Sequence, residues 1–154
     1  MKIISWNVNG IRAASNKGFL EYLNLENPDF IGVQEIKAMR EQLEPELHSP
    51  TGFFTDFFSA EKKGYSGVGF YAKKQPDLVQ KGLGIPKFDS EGRVIRADYG
   101  DLSIFTIYFP NGQNGDERLK YKLEFYDACL QHFEELRKNG RKLVIMGDYN
   151  TAHF

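Results

Sequence analysis

The sequence predicts one domain of the α/β or α+β class. Its 154 residues are 41% hydrophobic, which is enough for one domain of ordinary size with its own core. Thirteen Phe and eight Tyr against one Trp make the apolar content strongly aromatic, and this favours sheet surfaces over a bundle of helices. Short apolar runs bounded by turn residues occur together with two segments of helical periodicity, as expected for this class.

The first part of the chain predicts a strand, a helix and a second strand. Residues 2–8 form a run rich in apolar side chains that ends at an Asn-Gly turn, with Asn7 near its carboxyl end. Residues 13–26 carry apolar side chains mostly three to five positions apart, and an Asn and a Pro follow, so we expect an amphipathic helix. Residues 30–34 are typical of a buried strand, and Glu35 follows its last residue.

Turn residues divide the middle of the chain into further predicted strands, which we expect to form hairpins. The last of these strands has large side chains on both alternating sets of positions, so it should be a central strand covered on both faces. The predicted strands are Phe53–Phe58, Gly67–Ala72, Arg93–Tyr99 and Leu102–Phe109.

A long surface helix is predicted after the middle strands. From Glu117 to Lys138 the apolar positions are three or four residues apart, which is the spacing of an amphipathic helix. We expect Asn114 to cap the start of this helix, with Glu117 at the third position, and Gly140 to close its end.

The last predicted strand is the short apolar run Leu143–Met146. Four consecutive apolar residues between two glycines are too few for a helix, and they fit a strand buried on both faces. Asp148 and Asn150 would then emerge at its carboxyl end, which is where open α/β sheets hold their ligands.

Charge and composition exclude several classes of protein. A formal net charge of -1 provides no overall basic surface, so a polyanion would be held by local charge or by a metal. The single Cys129 excludes an internal disulfide. No signal peptide is recognisable, and no apolar run approaches the ~20 residues of a membrane span, so we expect a soluble cytoplasmic protein without a membrane partner.

Polar side chains at the ends of four predicted strands form a candidate site. Carboxylate and amide oxygens suit Mg²⁺, for which Mn²⁺ can substitute, whereas one Cys and three scattered His do not suit zinc. Each residue taken singly is more simply interpreted as a turn former or a solvated strand end, but four such ends together favour a site. The residues are Asn7, Glu35, Tyr108 with Asn111, and Asp148 with Asn150.

Six strings spread over the whole chain carry a resemblance to a known family. They are SWNVNGIRA at 5–13, VQEIK at 33–37, KGYSGVGFY at 63–71, EGRVI at 91–95, IYFPNG at 107–112 and GDYNTAH at 147–153. In this order they resemble the exonuclease III family of abasic-site (AP) endonucleases, within the endonuclease/exonuclease/phosphatase superfamily. The resemblance implies a four-layer α/β sandwich, in which two mixed sheets pack face to face with helices outside.

The same resemblance implies a DNA repair enzyme. Its expected reaction is Mg²⁺-dependent hydrolysis of the phosphodiester 5′ to an abasic site in double-stranded DNA, with 3′–5′ exonuclease activity at DNA ends. Such an activity belongs to base excision repair. The resemblance leaves open which of the two activities dominates and how many metal ions bind.

The resemblance assigns a metal site to Glu35, Asn7, Asp148 and Asn150, with Glu35 as the principal ligand. Asp148 would position or deprotonate the attacking water, although a histidine is an alternative base. Asn150 would orient the water or a phosphate oxygen. One departure from the family is Asn9, which stands where many relatives carry Asp and which reduces the negative charge beside the metal.

The resemblance also assigns contacts to the DNA. Tyr108 and Asn111 would lie against the scissile phosphate, and Tyr65, Arg118 and Asn111 would contact the DNA. Lysines near Tyr65 and Arg118 add local positive charge, although a solvated face accounts equally well for those of the helix. Arg93 has two interpretations, because it either faces the site or supports the neighbouring strand.

The later motifs of the family do not follow Phe154. These motifs include a Trp-containing loop that faces DNA and a terminal Ser-Asp-His-like signature beside the phosphate. His153 matches a different family His, for which we expect a supporting role. We therefore expect residues 1–154 to be the N-terminal portion of a single domain that needs its C-terminal part for activity. If the second sheet is missing, the inner face of the first should be exposed and should favour aggregation or association with a complementary half.

Two alternatives from other functional classes remain. The first is a phosphatase of the same superfamily that acts on inositol phosphates or phospholipid headgroups and shares the metal residues at the strand ends. The strings KGYSGVGFY, EGRVI and IYFPNGQN favour the DNA branch instead. The second alternative is a non-catalytic remnant that binds DNA or a protein partner.

Overall fold

The chain forms two four-stranded mixed sheets that pack face to face, with helices on their outer sides. The structure, a computed structural model, describes residues 1–150. The strands are β1 (Ile3–Asn7), β2 (Phe30–Gln34), β3 (Phe54–Phe58), β4 (Val68–Ala72), β5 (Leu78–Lys81), β6 (Val94–Tyr99), β7 (Leu102–Tyr108) and β8 (Lys142–Asp148). The helices are α1 (Ile11–Asn16), α2 (Phe19–Glu26), α3 (Pro45–His48), α4 (Pro86–Asp89) and α5 (Asp116–Lys138), with a 3₁₀ turn at Arg40–Gln42.

Each sheet contains one parallel pair of strands, and the two pairs lie on the same side of the sandwich. The first sheet has the order β1-β2-β4-β3, and only β1 and β2 are parallel. The second has the order β5-β6-β7-β8, and only β7 and β8 are parallel. Because β1 contacts β8 across the sandwich, the residues at the carboxyl ends of these strands lie close together.

The core has three apolar layers. The layer between the sheets includes Phe30, Phe70 and Ile104, and the layers outside them lie under α1 and α2 on one side and under α5 on the other. Gly32 of β2 marks a close approach of the sheets. A Cβ at this position would lie only 2.3 Å from Thr106 Oγ1, so a larger residue would force the sheets apart.

The predicted sandwich, its strands and the long surface helix are confirmed, but the predicted helix ends are partly wrong. Residues 13–26 belong to two helices, α1 and α2, because Gly18 adopts a left-handed φ of 101° between them. Asn114 does not cap α5, since Gly115 precedes the first turn and provides no side-chain cap. The short elements β5, α3 and α4 have four residues each, too few to show a period in the sequence.

Strand β8 lies at an edge, so the predicted burial of its apolar run on both faces is wrong. Leu143–Met146 are all half-buried, and within residues 1–150 β8 pairs only with β7. The premise of a missing second sheet is also wrong, because its four strands cover the inner face of the first sheet. Within residues 1–150, β1 and β8 each pair with a strand on one side only, and we call the side of the sandwich that they form the β1/β8 edge.

No helix in the described part of the chain is long and apolar enough to cross a membrane. The cytoplasmic location stays a prediction.

A buried charge network fixes the end of the second sheet that lies away from the candidate site. Asp98 is 6% exposed, and both of its oxygens accept hydrogen bonds of 2.8 Å from Arg96. Ser103 donates a further hydrogen bond to Asp98, and Arg141 lies 3.4 Å away just before β8. Burial alone would raise the pKa of Asp98, but these hydrogen bonds and positive charges hold it below its usual value.

We expect Asp98→Asn to lower the free energy of unfolding at pH 7 by about 2–4 kcal/mol, because it leaves the partly buried guanidinium groups of Arg96 and Arg141 without their buried anion. The pKa of Asp98 is lowered by folding, so its contribution is present above the unfolded carboxyl pKa of about 4 and is lost as the pH falls through the folded value. Urea unfolding at several pH values measures both effects. Stability should depend less on pH in the variant than in the wild type.

Asp101→Asn is the matched control. The side chain of Asp101 is 67% exposed and lies 3.7 Å from Lys142, so its removal should change stability by less than about 0.5 kcal/mol. Equal effects of the two substitutions would contradict the role of the buried network.

Candidate active site

The carboxyl ends of β1, β2 and β8 meet at one side-chain amide. Asn7 Nδ2 donates a hydrogen bond of 3.1 Å to Glu35 Oε1 and another of 2.7 Å to Asp148 Oδ2. Asn7 ends β1, Glu35 follows β2 and Asp148 ends β8. Two carboxylates that belong to different sheets therefore converge on one neutral group.

The loop after β2 holds Glu35 in an unusual backbone conformation. Glu35 has a φ of 57°, in the left-handed region that non-glycine residues rarely adopt. The loop is held from two directions, because Gly10 N–H donates to Glu35 O at 2.8 Å and Ile36 N–H donates to Gly67 O at 3.1 Å. These bonds offset the backbone strain, and they fix the direction in which the carboxylate leaves the sheet.

The end of β8 is fixed in a similar way. Asn150 N–H donates a hydrogen bond of 2.9 Å to Asp148 Oδ1, and Asn150 Nδ2 donates to Phe109 O at 3.1 Å. Lys122 of α5 donates to the carbonyl oxygen of Asn150 at 2.6 Å. Asn150 therefore orients Asp148 and also ties the strand end to the neighbouring strand and helix.

A lysine that the sequence did not indicate lies inside the cluster. Lys37 Nζ is 3.0 Å from Glu35 Oε2 and donates a hydrogen bond of 2.8 Å to Asn9 Oδ1. Asn9 N–H in turn donates to Asn7 Oδ1 at 2.9 Å. The signal that could have found Lys37 is its position two residues after Glu35, because it is a cation close in sequence to a predicted metal-binding carboxylate.

Tyr108 lies beside the carboxylates at the end of β7. Burial raises the pKa of its phenol to about 12, and the negative charge and hydrogen bonding of Glu35 act in the same direction. Arg93 lies 5.2 Å from the centre of the Tyr108 ring and donates to the Tyr108 carbonyl oxygen at 2.9 Å. The phenol is therefore protonated at neutral pH and can donate a hydrogen bond.

Asn111 lies in the loop that follows β7 and is exposed. Its side-chain oxygen accepts a hydrogen bond of 2.8 Å from Gln113 N–H. The structure thus places Asn111 on the surface, outside the hydrogen-bonded group around Asn7. His153 lies outside the described residues.

The expected DNA contacts Tyr65 and Arg118 belong to one network whose centre is Glu91. Arg93 donates to Glu91 Oε1 at 2.7 Å, and Arg118 donates to the same oxygen at 3.2 Å. The Tyr65 hydroxyl accepts hydrogen bonds from both arginines, at 2.9 and 3.3 Å. Burial would raise the pKa of Glu91, but the two arginines hold it below its usual value.

The structure supports the second interpretation of Arg93, because its side chain is only 2% exposed and its guanidinium bonds to groups of the protein. Glu91 was not predicted as a site residue. Its presence in the string EGRVI, two positions before a buried arginine, was the available signal.

The donor set fits a hard divalent cation. Within residues 1–150, no three His, Cys, Asp or Glu side chains cluster as metal ligands, so two carboxylates and neighbouring amides are the available donors. Glu35 and Asp148 bring two negative charges to one point, and Lys37 offsets one of them. Oxygen donors with a residual negative charge suit Mg²⁺ or Mn²⁺, which in open sites keep several waters.

Comparison with known proteins agrees with this geometry. An AP endonuclease of Dictyostelium discoideum, named DNA-(apurinic or apyrimidinic site) endonuclease, is 39% identical over 99% of this chain and 42% of its own length. An exodeoxyribonuclease of Bacillus subtilis is 38% identical over 99% of this chain and 60% of its own length. The crystal structure of the Xenopus laevis APE2 catalytic domain superposes with a TM-score of 0.89 at 30% identity, over 100% of this chain and 60% of that one.

This chain thus spans about half the length of the curated relatives it matches. The model of the Endonuclease/Exonuclease/phosphatase family matches residues 4–154. With two sheets of the same fold and a match over nearly all of its length, the chain belongs to the Endonuclease/Exonuclease/phosphatase family.

Proposed function

We propose that this chain is part of a Mg²⁺-dependent DNA repair nuclease that hydrolyses the phosphodiester 5′ to abasic sites and also removes nucleotides from 3′ ends. The observation that carries the proposal is the convergence of Glu35 and Asp148 on the Asn7 amide. The names of the Dictyostelium and Bacillus relatives support both activities. The substrate would be double-stranded DNA with abasic sites or 3′ ends.

The two carboxylates would have different roles in hydrolysis. Glu35 and Asp148 would hold the cation, which when bound neutralises charge on the phosphate oxygens. Asp148 would also position or deprotonate the attacking water, since Asn7 and Asn150 hold one of its oxygens each. The side chain of Asn150 donates a hydrogen bond to Phe109 O, which fixes its position. Asn150 would therefore orient the carboxylate of Asp148 towards the attacking water.

Tyr108 would act on the phosphate as a hydrogen-bond donor. Its phenol keeps its proton far above neutral pH, with a pKa of about 12, so it can stabilise negative charge on a phosphate oxygen. Asn111 lies on the exposed loop after the same strand, and its amide would contact the phosphate from there.

Tyr65 and Arg118 would contact the DNA backbone from the network around Glu91. Two arginines and one glutamate leave this network with one net positive charge, which attracts a phosphate. Because Arg93 is buried, Arg118 is the arginine whose side chain, at 30% exposure, is available to DNA. The phosphatase alternative shares the carboxylates, and its substrates also carry phosphates, so the substrate assay below separates the two functions.

We also propose that residues 1–154 are the N-terminal portion of a single domain. The relatives named above are about twice as long as the part of them that this chain matches. Within residues 1–150, the β1/β8 edge offers unpaired strand edges on both sheets, next to Asp148, and such edges accept further strands. The missing part would extend the sheets there and complete the site.

In the full-length protein, Glu35→Gln and Asp148→Asn should each lower Mg²⁺-dependent nicking of duplex DNA with a single abasic site by roughly 100- to 1000-fold, the range for removal of one group from a preorganised site. Glu21→Gln, on the exposed surface of α2, is the control and should retain full activity. Full activity of either site variant would exclude that carboxylate from the mechanism. Phosphate release from inositol phosphates without nicking would instead favour the phosphatase branch.

The 154-residue chain alone should nick the same substrate at least about 100-fold more slowly than the full-length protein, because part of the preorganised site is absent. Gel filtration should show that the chain associates into larger species, because its β1/β8 edge is open to further strands. Equal activity of both forms, with the short chain a monomer, would contradict the proposed incompleteness. DNA binding without cleavage by both forms would identify a non-catalytic remnant.

A further inference from the structure

We propose that Lys37 is a built-in counter-ion of the metal site, which occupies one oxygen of Glu35 and thereby lowers the affinity for the divalent cation. The inference rests on the proposed metal-dependent function. Lys37 Nζ lies 3.0 Å from Glu35 Oε2, whereas the other oxygen, Oε1, accepts from Asn7. A cation that binds Glu35 through both oxygens must therefore displace the ammonium group.

The backbone of Lys37 is held by hydrogen bonds, while its side chain is partly exposed to solvent. Its N–H donates to Ser66 O at 2.9 Å, and its carbonyl oxygen accepts from Arg12 at 3.3 Å. Its φ of 53° is left-handed, like that of Glu35. The side chain is 38% exposed, so the ammonium can leave the carboxylate for solvent without any change in the loop.

The neutral Asn9 directs the charge of Lys37 onto Glu35. Asn9 Oδ1 accepts a hydrogen bond of 2.8 Å from Lys37 Nζ but carries no charge to offset it. The ammonium is thus positioned by Asn9 and compensated by Glu35. An aspartate at position 9 would share the ammonium and would add negative charge, so both effects should strengthen metal binding.

The size of the effect follows from the charges. One positive and one doubly positive ion separated by ~5 Å in a water-like medium repel each other enough to weaken binding on the order of 10-fold. Removal of the Lys37 charge should therefore strengthen metal binding by about this factor, without any change in the fold.

The test is metal binding by the full-length protein, which needs no catalytic turnover. Mg²⁺ titration calorimetry, and electron paramagnetic resonance with Mn²⁺, give the dissociation constants of the wild type, Lys37→Gln and Asn9→Asp. Both substitutions should tighten binding, Lys37→Gln by about 10-fold. The left-handed φ of 47° at position 9 is compatible with Asp.

Lys81→Gln is the matched control, because Lys81 also forms a partly exposed ion pair, 3.0 Å from Asp56, but belongs to β5 at the opposite edge of the second sheet from β8. It should leave the metal affinity unchanged, and circular dichroism checks that each variant is folded. If the wild type binds metal and Lys37→Gln binds with equal or weaker affinity, the inference is overturned while the proposed function stands. If no protein of the set binds either metal, both are overturned.

Discussion

The bridge that one amide makes between two carboxylates holds the candidate site together. Asn7 ends a strand of the first sheet and Asp148 ends a strand of the second, so the 2.7 Å hydrogen bond between them joins the two sheets. The bond can form because each sheet has its parallel pair of strands on the same side, and because Gly32 lets the sheets approach closely. A small slide of one sheet over the other would separate the carboxylates.

Two charge clusters meet at Tyr108. On one side, Glu35 is compensated by Lys37 and belongs to the proposed cation site. On the other, Glu91 is compensated by two arginines and faces the expected path of the DNA. Tyr108 contacts both clusters, because its phenol is close to Glu35 and its carbonyl oxygen accepts a hydrogen bond from Arg93. Tyr108, which we expect to contact the phosphate, thus connects the proposed metal site with the proposed DNA-contacting network.

The sequence was sufficient for the main strands and for the meeting of their ends, because apolar runs bounded by turn residues are too short for helices and fit strands. It was insufficient where tertiary position decides. The half-exposure of Leu143–Met146 follows from the edge position of β8, which a run of four apolar residues does not reveal. Lys37 and Glu91 were missed because their importance comes from ion pairs with partners brought close by the fold. The break at Gly18 shows that helical spacing can continue across a left-handed residue.

The central claim is that Glu35 and Asp148 hold a divalent cation beside the Asn7 amide. Crystals soaked in Mn²⁺ and measured at the manganese absorption edge locate the metal directly by its anomalous scattering. We expect one strong peak within bonding distance of a Glu35 oxygen and close to Asp148, with the Lys37 ammonium moved towards solvent. A fully occupied manganese site elsewhere, with Lys37 still paired to Glu35 and no peak between the carboxylates, would contradict it.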